Sequence, residues 1–201
     1  SSSTSVQNSK KINMYNQFAQ VLLGYTGSNN DIRLFESDLS LDGVNKMKDV
    51  FIISLSRLLI KDEIKKGSFT MSVGTGAYAT PFDGNGTGVA NCDGGDYAIL
   101  HTSSDANIGE TGHGVIFYQA GVLVLTASVF SANRSGSAGD GYIDDFGSEH
   151  LNTAATLRPD QTLVSSSISG TCNAFRHRID NIQFNNTTEL NSTIYFCRAP
   201  T

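Results

Sequence analysis

The chain has 201 residues, of which 39% are hydrophobic and 16% are charged, so it can bury a core without disulfides or a structural metal. Its 20 glycines, with many Ser, Thr and Asn residues, favour strands joined by turns. The net charge of -5 argues against a nucleic-acid-binding protein, because such proteins cluster Lys and Arg.

The charges are unevenly divided along the chain. Residues 1–66 contain nine Lys or Arg and seven Asp or Glu, whereas residues 67–201 contain five and twelve. Every lysine precedes Gly67. The second part of the chain is therefore acidic and unsuited to binding phosphate groups, and no nucleic-acid partner is expected.

The cysteines and the apolar segments indicate the compartment. Three cysteines at long spacings match neither a disulfide framework nor a CxxC metal site and favour a reducing environment; they are Cys92, Cys172 and Cys197. No apolar stretch reaches the roughly 20 residues that span a bilayer, and no signal peptide opens the chain, so no membrane partner is expected. We attribute the N-x-S/T triplets to composition; they begin at Asn85, Asn133, Asn185, Asn186 and Asn191.

An arm and a helix are predicted at the N-terminus. Residues 1–11 are almost entirely polar, which predicts a flexible arm because they hold too little apolar surface to offset the entropy of ordering. From Ile12 to Gly24 the apolar residues recur at steps of three and four, which predicts a helix with Gly24 as its C-cap.

Two strands and a long loop are predicted next. The apolar run at residues 49–60 predicts a buried strand, and the alternation at residues 68–73 predicts a half-exposed strand after a turn at Gly67. Residues 74–96 contain seven glycines and are predicted to form a long loop.

The strongest β pattern follows this loop. Residues 97–102 predict a strand, and residues 114–127 predict a hairpin with a tight turn near Gln119–Gly121.

The last third of the chain predicts a loop, a helix and a second hairpin. Residues 131–148 resemble a loop, and a short helix at residues 149–157 is predicted to end before Pro159. The two β-like runs at residues 179–184 and 193–198 predict the second hairpin.

These elements predict an α+β fold, mainly β with minor α. Its core is expected to be an antiparallel, β-sandwich-like arrangement with an N-terminal helix and long Gly-rich loops. No internal repeat or charged linker divides the chain, so residues 12–201 are predicted to form one β-rich domain behind the arm of residues 1–11.

The acidic, Gly-rich loops contain the oxygen-bearing side chains that calcium sites use. The stretch from Asp83 through Asn85 to Thr87 matches the opening of a calcium-binding EF-hand loop, but position twelve, which requires a Glu, is Gly94. A structural turn is the preferred interpretation. Binding of calcium or glycan by the loops at residues 74–96 or 131–148 remains open.

Other candidate groups also favour structural roles. The acidic group Asp140, Asp144 and Asp145 is interpreted as a solvated loop, although paired carboxylates can act as acid and base. The histidines lack metal-site spacing and are interpreted as ordinary surface or core residues; they are His101, His113, His150 and His177. Serine-nucleophile, Walker and dinucleotide motifs are absent from the sequence. We therefore assign no catalytic, cofactor-binding or metal residue and expect no cofactor.

Several stretches together resemble a known family. They are NMYNQFAQVLLG, DVFIISLSRLLIKDEIKKGSFTMSVG, GVIFYQAGVLVLTAS and NSTIYFCRA. They resemble virion structural proteins of T-even-like contractile-tailed phages of marine cyanobacteria, of the baseplate wedge subunit type. The resemblance covers about half the chain in separate blocks. The family pattern continues past its last strand, whereas this sequence stops at Thr201, which leaves a truncated C-terminus open.

The resemblance implies a non-catalytic tail or baseplate subunit. Such a protein contacts other phage tail or baseplate subunits as a homo- or hetero-oligomer, resides in the virion and is assembled in the host cytoplasm. Two alternatives remain open. One is a receptor- or glycan-binding β-sandwich on a fibre or capsid surface, and the other is a glycoside hydrolase that uses a carboxylate pair from Asp83, Asp93, Asp96, Asp144 and Asp145.

Overall fold

The computed structural model describes residues 4–25, 33–36, 39, 41, 47–73, 80–83, 90–92, 95–102, 112–127, 159–176 and 179–188. The helices of this part are α1 (Thr4–Leu23), α2 (Arg57–Ile60), α3 (Pro159–Ser165) and α4 (Ile168–Arg176). The strands are β1 (Val50–Ser54), β2 (Glu63–Ile64), β3 (Thr70–Val73), β4 (Thr80–Asp83), β5 (Ala90–Cys92), β6 (Gly95–Thr102), β7 (Gly114–Phe117), β8 (Val122–Thr126), β9 (Ile179–Gln183) and β10 (Asn186–Thr187).

Eight of these strands belong to one antiparallel sheet. Their order is β1–β8–β7–β6–β4–β3–β9, and β5 pairs with β6. Strands β2 and β10 form a separate antiparallel ladder. A bulge between Ser72 and Val73 shifts the register of β3 against β9.

Both faces of the central hairpin β7–β8 are buried, in two apolar layers. The outer layer joins the sheet to α1; its buried residues are Ala19, Leu22, Leu23, Phe35, Leu39, Leu41, Met47, Val115, Phe117, Val122 and Val124. The inner layer contains Phe51, Ile60, Ile64, Phe69, Met71, Val73, Ala98, Leu100, Ile116, Tyr118, Leu123, Leu125, Ala127 and Phe175. Met71 of β3 therefore lies in the same layer as Ile116 of β7.

This arrangement confirms the predicted α+β class, with antiparallel strands, a sandwich-like core and an N-terminal helix. The hairpin predicted at residues 114–127 is confirmed, with its turn between Phe117 and Val122. The strands predicted at 97–102 and 179–184 are also present. More of the described residues are helical than the sequence predicts, because neither α3 nor α4 was predicted.

The N-terminal helix begins earlier than the sequence predicts. The sequence predicts a flexible arm at residues 1–11, but residues 4–11 form the first turns of α1. The reason is a set of long-range contacts. Lys11 Nζ donates to the carbonyl oxygens of Leu163 and Ser166, and Gln7 Oε1 accepts a 3.2 Å hydrogen bond from the Ile168 backbone N–H.

Two further boundaries differ from the prediction. Strand β1 ends at Ser54, and the rest of the predicted strand at residues 49–60 contains α2. The predicted loop at residues 74–96 contains β4 and β5. Helix α3, which the sequence did not predict, begins at Pro159, and this suits a residue whose missing N–H costs nothing at the first helical position. The predicted elements at 131–148, 149–157 and 193–198 lie outside the described residues.

Candidate functional site

The most exposed large apolar side chain in the described part of the chain is Leu58, which lies in a short segment beside a second exposed leucine. We call residues 56–66 the dileucine corner, because Leu58 is 88% exposed and Leu59 is 60% exposed. The segment contains α2 and β2. It joins β1 to β3 at one end of the sheet.

Local hydrogen bonds produce the single helical turn of the corner. The carbonyl oxygen of Ser56 accepts from the backbone N–H groups of Leu59 and Ile60, at 2.9 and 3.1 Å. Lys61 donates to Arg57 O at 2.9 Å and then ends the turn with φ 56° and ψ -116°. A positive φ is uncommon for a residue other than Gly, so contacts outside the turn must hold it.

One set of such contacts comes from the turn between β7 and β8. The Leu55 backbone N–H donates to Gly121 O at 2.9 Å, and the Ile64 backbone N–H donates to Tyr118 O at 3.1 Å. The Arg57 guanidinium donates to Gln119 O at 2.6 Å. These bonds tie both ends of the corner to the turn at residues 118–121.

A second set of contacts comes from the chain around β10. Strand β2 pairs with β10, and Asn186 Nδ2 donates to Leu59 O at 3.0 Å. The Lys65 backbone N–H donates to Asn185 O at 2.8 Å. The corner is thus bonded on two sides, and its leucines project from a fixed backbone.

The side chains beside the leucines are mostly basic. Arg57, Lys61 and Lys65 are exposed. Lys66 forms an ion pair with Asp96, and this hydrogen bond raises the pKa of Lys66 above its usual value. The corner therefore presents two apolar side chains framed by cations.

This surface offers apolar area that a partner could bury. Burying a leucine side chain is worth about 1.5–3 kcal/mol relative to leaving it in water. A fixed backbone lowers the entropic cost of that burial. An exposed apolar group with a charged rim is typical of the anchor of a protein interface.

The residues considered as candidates from the sequence do not converge on one site in the described ranges. Asp96 forms an ion pair with Lys66. The backbone of Asp83 lies opposite that of His101 in the β4–β6 ladder. His101 and His113 are buried, as a core interpretation expects, but His101 Nδ1 has no hydrogen-bond partner among the described residues.

The remaining candidates, Asp93, Asp140, Asp144, Asp145, His150 and His177, lie outside the described residues, as do most of the proposed calcium loop and Cys197. Cys172 is a free, exposed thiol on α4. Within the described ranges, we find no group of three or more His, Cys, Asp or Glu side chains that could hold a metal ion. Helices long and apolar enough to cross a membrane are likewise absent from the described part of the chain.

Leu58 and Leu59 were missed because their run of apolar residues is also typical of a buried strand. The available signal was the charged sequence around them, with Arg57 on one side and Lys61 on the other. Cations at both ends of the three-residue run Leu58–Ile60 favour an exposed position over the interior of a sheet, although Ile60 itself is buried.

Comparisons of the chain with protein-family models, with curated proteins and with solved structures found no match.

Proposed function

We propose that this chain is a non-catalytic structural subunit of a bacteriophage particle, a wedge-type component of the tail baseplate. It is assembled in the host cytoplasm and held in the virion by other tail or baseplate subunits. The observation that carries the proposal is the dileucine corner, with two exposed leucines on a backbone bonded from two sides.

The exposed leucines of the corner could lower the free energy of binding to a partner. Leaving two leucines in water forgoes roughly 1.5–3 kcal/mol for each side chain that a partner could bury. A mobile loop could cover such side chains by collapsing, but the bonds from Gly121, Tyr118 and Asn186 oppose that movement. Neighbouring subunits in a particle would bury the two leucines that the fixed backbone keeps exposed.

The segments that resemble phage baseplate proteins support the same proposal. The longest of them, residues 49–74, contains β1, the whole dileucine corner and β3. A second, residues 114–128, contains the hairpin to which the corner is bonded. The resemblance therefore falls on the framework and on the candidate docking site together.

Localisation in the virion tests the proposal. Particles of a phage that encodes this chain would be labelled with gold-conjugated antibody and imaged by cryo-electron microscopy. Density in the baseplate, with each copy among other chains, is expected. An exposed distal or capsid-surface position would instead favour the receptor- or glycan-binding alternative, and absence from the particle would overturn both.

A variant pair tests the role of the corner in incorporation. Leu58→Asp places a charge where a partner is expected, whereas Val164→Asp makes the same change at a 62%-exposed valine on α3. Particles are expected to incorporate the Val164 variant and to exclude the Leu58 variant. Equal incorporation of both, with equal thermal stability, would show that the corner is not an assembly contact.

A further inference from the structure

Exposed cations accompany the two leucines of the dileucine corner. Arg57, Lys61 and Lys65 are all exposed. Lys61 follows Leu58 by three residues, a spacing that places two side chains on the same side of a helical turn. Among residues 56–66, all of which the structure describes, Asp62 is the only exposed acid. Cations therefore outnumber acids on the exposed side of the corner.

Two further acids, Asp96 and Glu63, interact with Lys66. Asp96 forms an ion pair with Lys66, and the charge of the half-buried Glu63 also stabilises the charged lysine. The segments that are hydrogen-bonded to the corner carry no charged side chain, because residues 118–121 and 185–188 consist of Tyr, Gln, Ala, Gly, Asn and Thr. The chain bonded to the corner thus adds no negative charge beside the leucines.

We infer that the dileucine corner binds an anionic lipid surface, with Leu58 and Leu59 inserted below the headgroups. Arg57, Lys61 and Lys65 then lie at headgroup level and attract the anionic lipids. The inference concerns the free chain and does not rest on the proposed function. In an assembled particle, neighbouring subunits would cover the same residues, so the lipid contact belongs to the subunit before assembly.

The shape and rigidity of the corner suit this occupant. Leu58 is 88% exposed, so its side chain projects from the protein. A folded partner must supply a matching pocket for such a side chain, whereas the boundary between headgroups and acyl chains requires none. The hydrogen bonds that fix the turn keep both leucines exposed in the free chain, so binding requires no rearrangement.

A surface contact of this kind differs from a membrane span. The expectation of no membrane partner was based on the lack of a bilayer-spanning stretch and of a signal peptide. A group of apolar side chains that enters the interface to a depth of about 5–10 Å needs neither of them.

Vesicle flotation of the purified chain tests the inference. We expect binding to vesicles of phosphatidylcholine with about one quarter phosphatidylserine, little binding to phosphatidylcholine alone, and release as salt is added. Lys61→Gln should weaken binding roughly fivefold, the effect expected of one cation near an anionic surface. Lys10→Gln makes the same change at an exposed lysine of α1, outside the corner, and should bind as the unmodified chain does.

A tryptophan at position 58 reports insertion directly, because the chain contains no tryptophan of its own. Emission from Leu58→Trp should shift to shorter wavelength when phosphatidylserine vesicles are added, since an indole ring that enters the lipid interface leaves water. Val164→Trp, at a 62%-exposed position of α3, should show no shift. Binding without a shift at position 58 would overturn the inference.

Leu58→Asp should weaken vesicle binding by roughly tenfold or more, since the burial of one leucine side chain is worth at least that factor. Its unfolding midpoint should match that of the unmodified chain, which excludes misfolding as the cause.

Three other results would overturn the inference. They are no flotation with anionic vesicles at low salt, equal flotation with both lipid mixtures, and self-association without vesicle binding that Leu58→Asp abolishes. The last result would identify a second copy of the chain as the partner. None of the three bears on localisation in the virion, which tests the proposed function separately.

Discussion

The side chain of Ile60 occupies the space that any side chain at position 121 would need. A Cβ atom on Gly121 would lie 2.3 Å from Cδ1 of Ile60, and Gly121 has a φ of 64°. Ile60 is completely buried in the inner layer. The turn of the central hairpin and the buried side of the dileucine corner therefore fit only if residue 121 is glycine.

Gly121→Ala is expected to destabilise the fold. The left-handed backbone costs a residue with a Cβ roughly 1–2 kcal/mol, and the overlap with Ile60 adds about 1–3 kcal/mol. Denaturant unfolding should show a lower midpoint. Gly170→Ala on α4 is the control, because a Cβ there would meet only Ser167 Oγ and Ser166 Cβ, at 3.3 and 3.6 Å. An unchanged midpoint for Gly121→Ala would contradict the packing described.

Lys11 joins α1 to the C-terminal end of α3. Its ammonium group donates to Leu163 O and Ser166 O, where carbonyl groups at a helix end favour a cation. Burial is the largest cause that lowers the pKa of Lys11 below its usual value. Replacing the ammonium group leaves both carbonyls without this donor.

We expect Lys11→Met to lower the free energy of unfolding by about 1.5–3 kcal/mol, the range for hydrogen bonds to a charged group. Lys10→Met is the matched control, because Lys10 is exposed on the same helix. It should change stability by less than about 0.5 kcal/mol. Equal effects of the two substitutions would mean that Lys11 contributes nothing beyond its charge.

The central hairpin could be predicted from the sequence because local and tertiary preferences agree there. Gly121 provides the turn, and its flanking runs are apolar on both faces, as a strand buried on both sides requires. The sequence of residues 49–60 did not indicate that a strand, β1, is followed by a short helix, α2. A short apolar run such as Leu58–Ile60 fits a helix or a strand equally well, and the hydrogen bonds of this segment to Gln119 O and from Asn186 decide the outcome.

Tertiary contacts also decide the structure of α3, α4 and the dileucine corner, which the sequence did not predict. The sequence of α3 and α4 is rich in Ser and Thr, which are weak helix formers. One contact that joins them is the hydrogen bond from Thr171 Oγ1 to Thr162 O, at 2.8 Å. Leu58 is exposed because the turn that carries it is held by hydrogen bonds from outside. The flanking cations indicate exposure of the run, but no local pattern indicates which of its apolar side chains is exposed.

Phe51 of β1 and Phe175 of α4 are stacked, with ring centroids 4.5 Å apart and planes 10° from parallel. Both side chains belong to the inner layer. Phe175→Ala is expected to destabilise the protein by about 3–5 kcal/mol, through lost burial and the cavity that remains. Val164→Ala, at an exposed position of α3, should cost less than about 0.5 kcal/mol. Thermal unfolding of both variants tests this, and a small effect at Phe175 would place α4 outside the core.

Tyr15 makes the stability of the fold sensitive to alkaline pH. Its hydroxyl group donates to Met47 O at 3.1 Å and accepts from the Glu36 backbone N–H at 3.2 Å. Burial is the largest cause that raises the pKa of Tyr15 from 10.0 to about 12. Burial also raises the pKa of Tyr118.

The direction of this pH dependence follows from the number of protons that the folded and unfolded states bind. Between about pH 10 and pH 12 the unfolded chain loses the Tyr15 proton while the folded chain keeps it. The folded state then binds more protons than the unfolded state, so stability falls as pH rises through this window. Tyr15→Phe keeps the ring against Phe35 but removes the titrating group. Its stability should fall less steeply over the window, as measured by denaturant unfolding at successive pH values. Identical slopes for the two proteins would show that Tyr15 ionises as freely in the folded state as in the unfolded chain.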